Sequence, residues 1–220
     1  MTKSVLISDD IRRAFPNYHA GVIYASVKNS PRCEELWEEL DREAAIIKNR
    51  YTTEDIKDIP AIAATRNAYK TLGKDPSRYR PSAEALLRRI IKEAGLYKIS
   101  ALVDLINLVS IRTGYSIGGF DADKVNGTAE LGVGVEDEEF TAIGRGKLNI
   151  AGLPVFRDET GCMGTPTSDE IRTSLSPETK HILIIINAYS GPGGLQEAVK
   201  LTVELLKKYA FAEGIETSII

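Results

Sequence analysis

Hydrophobic positions recur at helical spacing through most of the first half of the chain, and after Gly114 they give way to short alternating runs. In SPRCEELWEELDREAAIIKNRY (residues 30–51), Leu36, Leu40, Ala44 and Ile47 share one face, leaving Glu35, Glu38, Glu39, Asp41 and Arg42 for solvent. Ser30 is its expected N-cap and Pro31 its first helical residue. Ahead of it, HAGVIYASVK (19–28) reads as a strand, because β-branched and aromatic residues alternate with smaller ones. A second helix, IPAIAATRNAYKTLG (59–73), stops at Gly73. A third, SAEALLRRIIKEAG (82–95), is capped by Ser82, ended by Gly95, and gathers Leu86, Leu87, Ile90 and Ile91 on one face.

SALVDLINLVSIRTG (100–114) is apolar around nearly its whole circumference, which predicts a central, buried helix. Asp104 and Asn107 lie on one face of it and need hydrogen-bonding partners there. Beyond it, YSIGGFD, GTAELGVGV, EFTAIGRGKL and LPVFRD read as short strands between Gly, Asn, Asp and Pro turns. SDEIRTSL (168–175) reads as a short helix capped by Ser168. HILIIINAY (181–189) reads as a buried strand, and GGLQEAVKLTVELLKKYAF (193–211) as an amphipathic helix. The pattern as a whole predicts an α+β fold, helices packed on a β-rich core, as a single domain over 1–220. Its first part (1–80) is mainly helical.

Composition narrows the function. A net charge of -3 over 220 residues excludes wholesale coating of nucleic acid, so any such contact has to be local. The opening MTKSVLISDDIRRAF lacks the apolar core of a secretory leader, and no apolar run is long enough to span a bilayer, which makes a reducing cytoplasm the expected location and a membrane partner unexpected. Two cysteines and two histidines predict neither a disulfide framework nor a zinc site. Cys162 has no histidine near it in sequence and reads as a small buried side chain rather than a nucleophile.

The charge is unevenly spread. Between Ala61 and Lys98 nine cations stand against Asp75, Glu84 and Glu93, a local net of +6 in an acidic chain. Lys70, Lys74, Arg78, Tyr79, Arg80, Arg88 and Arg89 are the candidate RNA-binding residues, since arginine beside an aromatic suits phosphate pairing with base stacking. Two other readings stay open: Glu84 and Arg88 as a helical surface pair with the remaining charges in water, or a loop arginine turned inward to brace the core.

The stretch ALVDLINLVSIRTGYSIGGFDADKVNG (101–127) resembles the editing module, B3/B4, of the bacterial phenylalanyl-tRNA synthetase β subunit. Leu102, Val103, Asp104, Asn107, Val109, Gly114, Phe120, Asp121, Lys124 and Val125 carry the likeness in matching order. LPVFRD, GCMG and TKHILIIINAY continue it, and residues 81–220 are its most recognisable part. The resemblance implies a β-sandwich-like core with packed helices, and hydrolysis of the ester of a wrongly charged tRNA, in trans, with the tRNA acceptor end and its aminoacyl group as partners and with no cofactor or metal. Two other functions remain in view: a non-catalytic tRNA or amino-acid binding module, and an interaction protein docking on a synthetase.

The family's histidine falls here on Gly118, and its tyrosine-selecting glutamate on Ile185 or Ile186 with Asn187 as the nearest polar group, so a preference for tyrosine is not carried over. DETGCMGTPTSDEIRT (158–173) supplies the expected pocket. Thr165 and Asp169 are the candidate catalytic residues. Asp158, Ser168, Arg172, Gly118, Gly119 and Asn187 are the candidate substrate-binding residues, the glycines allowing close backbone approach. Each also has a structural reading: Ser168 as a helix cap, Asp169 favouring a helix N-terminus, Arg172 neutralising Asp158.

Overall fold

Ten strands and six helices alternate irregularly along residues 3–220, the part of the chain that the computed structural model describes. The first half contains β1 (Val5–Ile7), α1 (Asp9–Ala14), β2 (His19–Ser26), α2 (Glu34–Arg50), α3 (Pro60–Thr71), α4 (Ser82–Ile91) and α5 (Ala101–Thr113). Then follow β3 (Ser116–Asp121), β4 (Ala129–Val133), β5 (Thr141–Ala142), β6 (Gly146–Lys147), β7 (Pro154–Arg157) and β8 (Cys162–Gly164). The last elements are β9 (His181–Ala188), α6 (Leu195–Ala210) and β10 (Glu213–Ile219). One sheet has the order β1-β4-β7-β8, a second β10-β2-β9-β3, and β5 and β6 form a small hairpin.

Side-chain alternation explains how these layers stack. Leu183 and Ile185 of β9, with Ala20 and Val22 of β2, join Leu131, Phe156 and Met163 of the other sheet in one apolar core. The alternate residues Ile182, Ile184 and Ile186 face Leu36 and Leu40 of α2, Leu102 and Leu105 of α5, and Leu206 of α6. β9 is therefore covered on both faces, and its near-continuous apolar sequence follows from that. The architecture is α+β, two facing sheets with helices packed on one of them.

The central helix α5 is buried as its circumference predicts. Asp104 accepts from Trp37 Nε1 (2.7 Å) and from the Ile99 amide (3.2 Å). Burial raises the Asp104 carboxyl above its ordinary value, against the pull of those two donors and Lys98. The helix stops at Gly114, whose φ of +77° suits glycine and where a Cβ would lie 2.9 Å from Ile59.

Several boundaries differ from expectation. The long helix α2 starts at Glu34, with Cys33 in the cap position, because the Ser30 hydroxyl is turned to the Arg32 carbonyl at 3.3 Å. In α4 the cap position is Pro81, and Ser82 is already helical, its amide donating to the Pro166 carbonyl at 2.8 Å. That helix ends at Ile91, before Gly95. SDEIRTSL forms only a 3-10 turn, Ile171–Thr173, capped by Glu170 rather than Ser168. Among the described residues no helix is long and apolar enough to cross a membrane.

Candidate functional site

A cavity of about 500 Å³ opens where α4, α5, β3 and the segment after β8 meet. Helical spacing places Val103, Ile106, Asn107 and Ser110 along one stripe of α5, facing it. Ser82 and Leu86, one turn apart, line it from α4, and the alternate residues Ile117 and Gly119 line it from β3. A Cβ on Gly119 would collide with Ile106 Cδ1, so glycine is what lets the strand backbone come this close to α5. Lys124 Nζ donates to the Ser174 carbonyl at 2.7 Å and so pins the far wall, where Ser174 and Leu175 lie.

The charged group on this wall is Asp169. It projects from a tight turn in which Gly164 and Asp169 form an antiparallel bridge. Inside the turn Thr165 Oγ1 accepts from the Thr167 and Ser168 amides, both at 3.1 Å, and the Thr165 amide donates to the Ser168 carbonyl at 2.9 Å. Thr167 Oγ1 reaches out of the turn to the Tyr79 carbonyl (3.0 Å) and pairs with the Tyr69 hydroxyl (2.8 Å).

The Asp169 carboxylate has one weak donor, the Gly119 amide at 3.4 Å from Oδ2. Gly164 makes room for it, since a Cβ there would sit 2.6 Å from Oδ1. The residue lines the cavity and keeps some solvent-accessible surface, yet its carboxylate is closely packed by protein atoms. It is this local crowding that sets its acidity. Burial pushes the carboxyl up to about 7, against the small opposing effect of the Gly119 amide. A carboxyl poised there can take up or release a proton near neutrality.

Of the other candidates, Ser168 and Gly119 line the same cavity. Gly118 and Thr165 do not: the Phe120 ring fills the space beside Gly118, leaving 2.6 Å to a hypothetical Cβ, and Thr165 is spent in shaping the turn. Asp158 and Arg172 pair at 2.9 Å below the turn. Burial alone would raise Asp158, but the Asn126, Thr160 and Gly161 amides and the Arg172 guanidinium outweigh it, and the carboxyl lies below its ordinary value. Arg172 also donates to the carbonyls of Lys124, Gly161 and Cys162, so the pair clamps three segments together rather than facing the cavity. Asn187, on β9, is buried between the Tyr18 hydroxyl (2.8 Å) and the Ser116 carbonyl (3.1 Å). Asn107, singled out from the sequence for its need of a hydrogen-bonding partner, lines the cavity. Its position four residues after Val103, on the stripe that faces β3, was the available signal. Cys162 donates to Glu138 at 2.9 Å, and burial, with Glu138 beside it, pushes the thiol up to about 12.

The basic segment is less open than its composition implies. Glu84 is fully buried, and Arg66 (2.8 Å), Arg88 (2.8 Å) and Arg80 (3.4 Å) converge on it. Arg88 thus turns inward, and Arg80 turns its Nε to the same carboxylate, the bracing arrangement that the sequence left open, while the rest of its side chain stays partly exposed. Tyr79 is buried with Phe140 and Leu153, so its ring is closed to base stacking; Lys74 and Arg78 lie over it at 4.5 and 5.6 Å. Arg89 is held by the Ala94 and Gly95 carbonyls and lies 4.1 Å from the centre of the Tyr97 ring. Lys70 and Arg78 are exposed.

Val103 and Asn107, two of the residues that carry the likeness described above, line this cavity, and the chain as a whole can be compared with known proteins. Residues 64–217 match the model of the family described as the B3/4 domain, and the chain belongs to that family. The phenylalanine–tRNA ligase β subunit of Bartonella henselae is 28% identical over 133 residues, which cover 59% of this chain and 16% of that subunit. The crystal structure of an N-terminal fragment of the phenylalanyl-tRNA synthetase β subunit from Pyrococcus horikoshii aligns with a TM-score of 0.48 at 14% identity, over 98% of this chain and 50% of the fragment. The chain therefore spans a small part of the first protein's length and half of the second's.

Proposed function

We propose that this protein hydrolyses, in trans, the ester that joins a wrong amino acid to tRNA. The observation that carries the reading is the Asp169 carboxyl, set near neutrality by its surroundings, on the wall of a mostly apolar cavity of about 500 Å³. The amino-acid side chain lies against Val103, Ile106, Ile117 and Leu86. Ionised Asp169 takes a proton from water as the water oxygen bonds to the ester carbonyl carbon. The negative charge that develops on the carbonyl oxygen is met by the Asn107 side-chain amide. The carbon–oxygen bond to the ribose then breaks, and the proton held by Asp169 passes to the departing ribose oxygen. Thr165 acts at one remove, by holding the turn. No acid faces the cavity from β9, where Ile185 and Ile186 occupy the two apolar cores, so the walls favour an apolar side chain over a phenol.

The same cavity without turnover makes a binding module, and Gly118 at the place of the family's histidine favours that second reading. A deacylation assay over a panel of mischarged tRNAs separates them. Ester loss above the spontaneous rate, reduced roughly 100-fold or more in Asp169→Asn, supports hydrolysis. Binding with no acceleration for any pair rules hydrolysis out and leaves the binding module.

A further inference from the structure

We propose that Arg80 is the anchor for one phosphodiester of the bound RNA, held at a fixed distance from the cavity by the turn that carries Asp169. This rests on the reading above that the partner is tRNA.

Three arginines surround a single carboxylate, and their roles are unequal. Arg66 takes Glu84 Oε2 at 2.8 Å, and Arg88, one helical turn after Glu84, takes Oε1 at 2.8 Å. Both oxygens are thus engaged before Arg80 arrives, 3.4 Å from an oxygen Arg88 already holds. Its Nε is buried and has no hydrogen-bond partner. Three positive charges on one negative leave a surplus of two in a half-buried setting, where they are weakly screened. The surplus is most accessible at Arg80, whose side chain is 40% exposed against 15% for Arg66 and 20% for Arg88. With its buried Nε turned to Glu84, the exposed end of the guanidinium is left for a phosphate, which it can bind through two parallel hydrogen bonds. Arg78, two residues away and exposed, and Lys74 on the same loop extend the positive strip along a backbone.

Position makes this more than a charged patch. The residues on either side of Arg80 are tied to the catalytic turn: the Tyr79 carbonyl accepts from Thr167 Oγ1 at 3.0 Å, and the Ser82 amide donates to the Pro166 carbonyl at 2.8 Å. Thr167 is two residues from Asp169, and Ser82 itself lines the cavity. A phosphate held by Arg80 is therefore registered against the carboxyl through two short hydrogen-bonded links.

The test is tRNA affinity as a function of salt, for wild type, Arg80→Ala and Arg80→Lys, with binding read directly so that it does not depend on turnover. The slope of log affinity against log salt is expected to flatten by about 1 in Arg80→Ala, with affinity falling by a similar factor for every tRNA. Arg80→Lys is expected to keep the slope and lose part of the affinity. Should the alanine variant fail to fold, Arg80→Gln keeps the length without the charge and gives the same readout. Equal slopes in wild type and the uncharged variant overturn the inference while leaving tRNA as the partner. A wild-type chain that binds no tRNA overturns both. Inorganic phosphate at millimolar concentration provides the remaining arm: if it binds at Arg80 while the tRNA slope is unaffected by the substitution, the site takes a small free anion and the RNA anchor is refuted.

Discussion

Asp169→Asn is expected to stabilise the protein at alkaline pH while removing its proposed chemistry. In the folded chain the carboxyl titrates at about 7 instead of its ordinary 3.8, because burial disfavours the charged form. Between those two values the folded state binds more protons at this site than the unfolded state does. Stability therefore falls as pH rises through that window, and the whole penalty is present above about pH 7. At about 1.4 kcal/mol for each pH unit the displacement corresponds to roughly 4 kcal/mol, an upper bound given the residue's partial contact with solvent. Asparagine has nearly the same shape and no charge to bury. Urea unfolding of both proteins at pH 4 and pH 8 measures the difference. Near pH 4 the two should have similar stabilities, and at pH 8 the variant should be more stable by about 2–4 kcal/mol. A difference that does not change with pH, or a variant less stable at pH 8, would refute the claim that the carboxyl is held against its own ionisation.

Two further substitutions probe the frame around that carboxyl. Glu84→Gln leaves Arg66, Arg80 and Arg88 facing one another without a counter-ion; thermal unfolding should show a loss of about 2–4 kcal/mol, the partial exposure of the arginines keeping it below the full penalty for a broken buried pair. A change under 0.5 kcal/mol would mean that the arginines find water instead. Gly164→Ala places a methyl group 2.6 Å from Asp169 Oδ1 and 2.9 Å from the Phe120 ring, so deacylation should fall by at least tenfold with the fold retained, and unchanged activity would remove Asp169 from the chemistry.

The parts of the molecule that could be read from sequence are those whose neighbours are apolar. Both β9 and α5 announce themselves, because burial on every side leaves only apolar choices. The strand β10 does not, since six of its seven residues are exposed and its place is set by backbone pairing with β2. Glu84 shows the same limit from the other direction. Its charge reads as surface, yet Leu87 and Ile91 three and seven residues on place it at the edge of the apolar face of α4. The candidate pocket was legible as a segment, rich in small and polar residues. Which side chains face the cavity was not, because that depends on a turn closed by Thr165 and on β3 meeting α5, contacts that join distant parts of the chain.

The pairing of β2 with β9 also bears on how the chain reaches its native state. Tyr18 and Asn187, bonded beside that pairing, lie 169 residues apart. The middle of the main sheet cannot close until most of the polypeptide is present, and loops of this length make the nucleus slow to form. Until then the apolar residues Val22, Ile23 and Ala25 of β2 have no strand beside them, and an emerging chain presents an unpaired edge to other chains. Folding on the ribosome should therefore be late and sensitive to concentration, and a holding chaperone should raise its yield far more than it raises the stability of the finished protein.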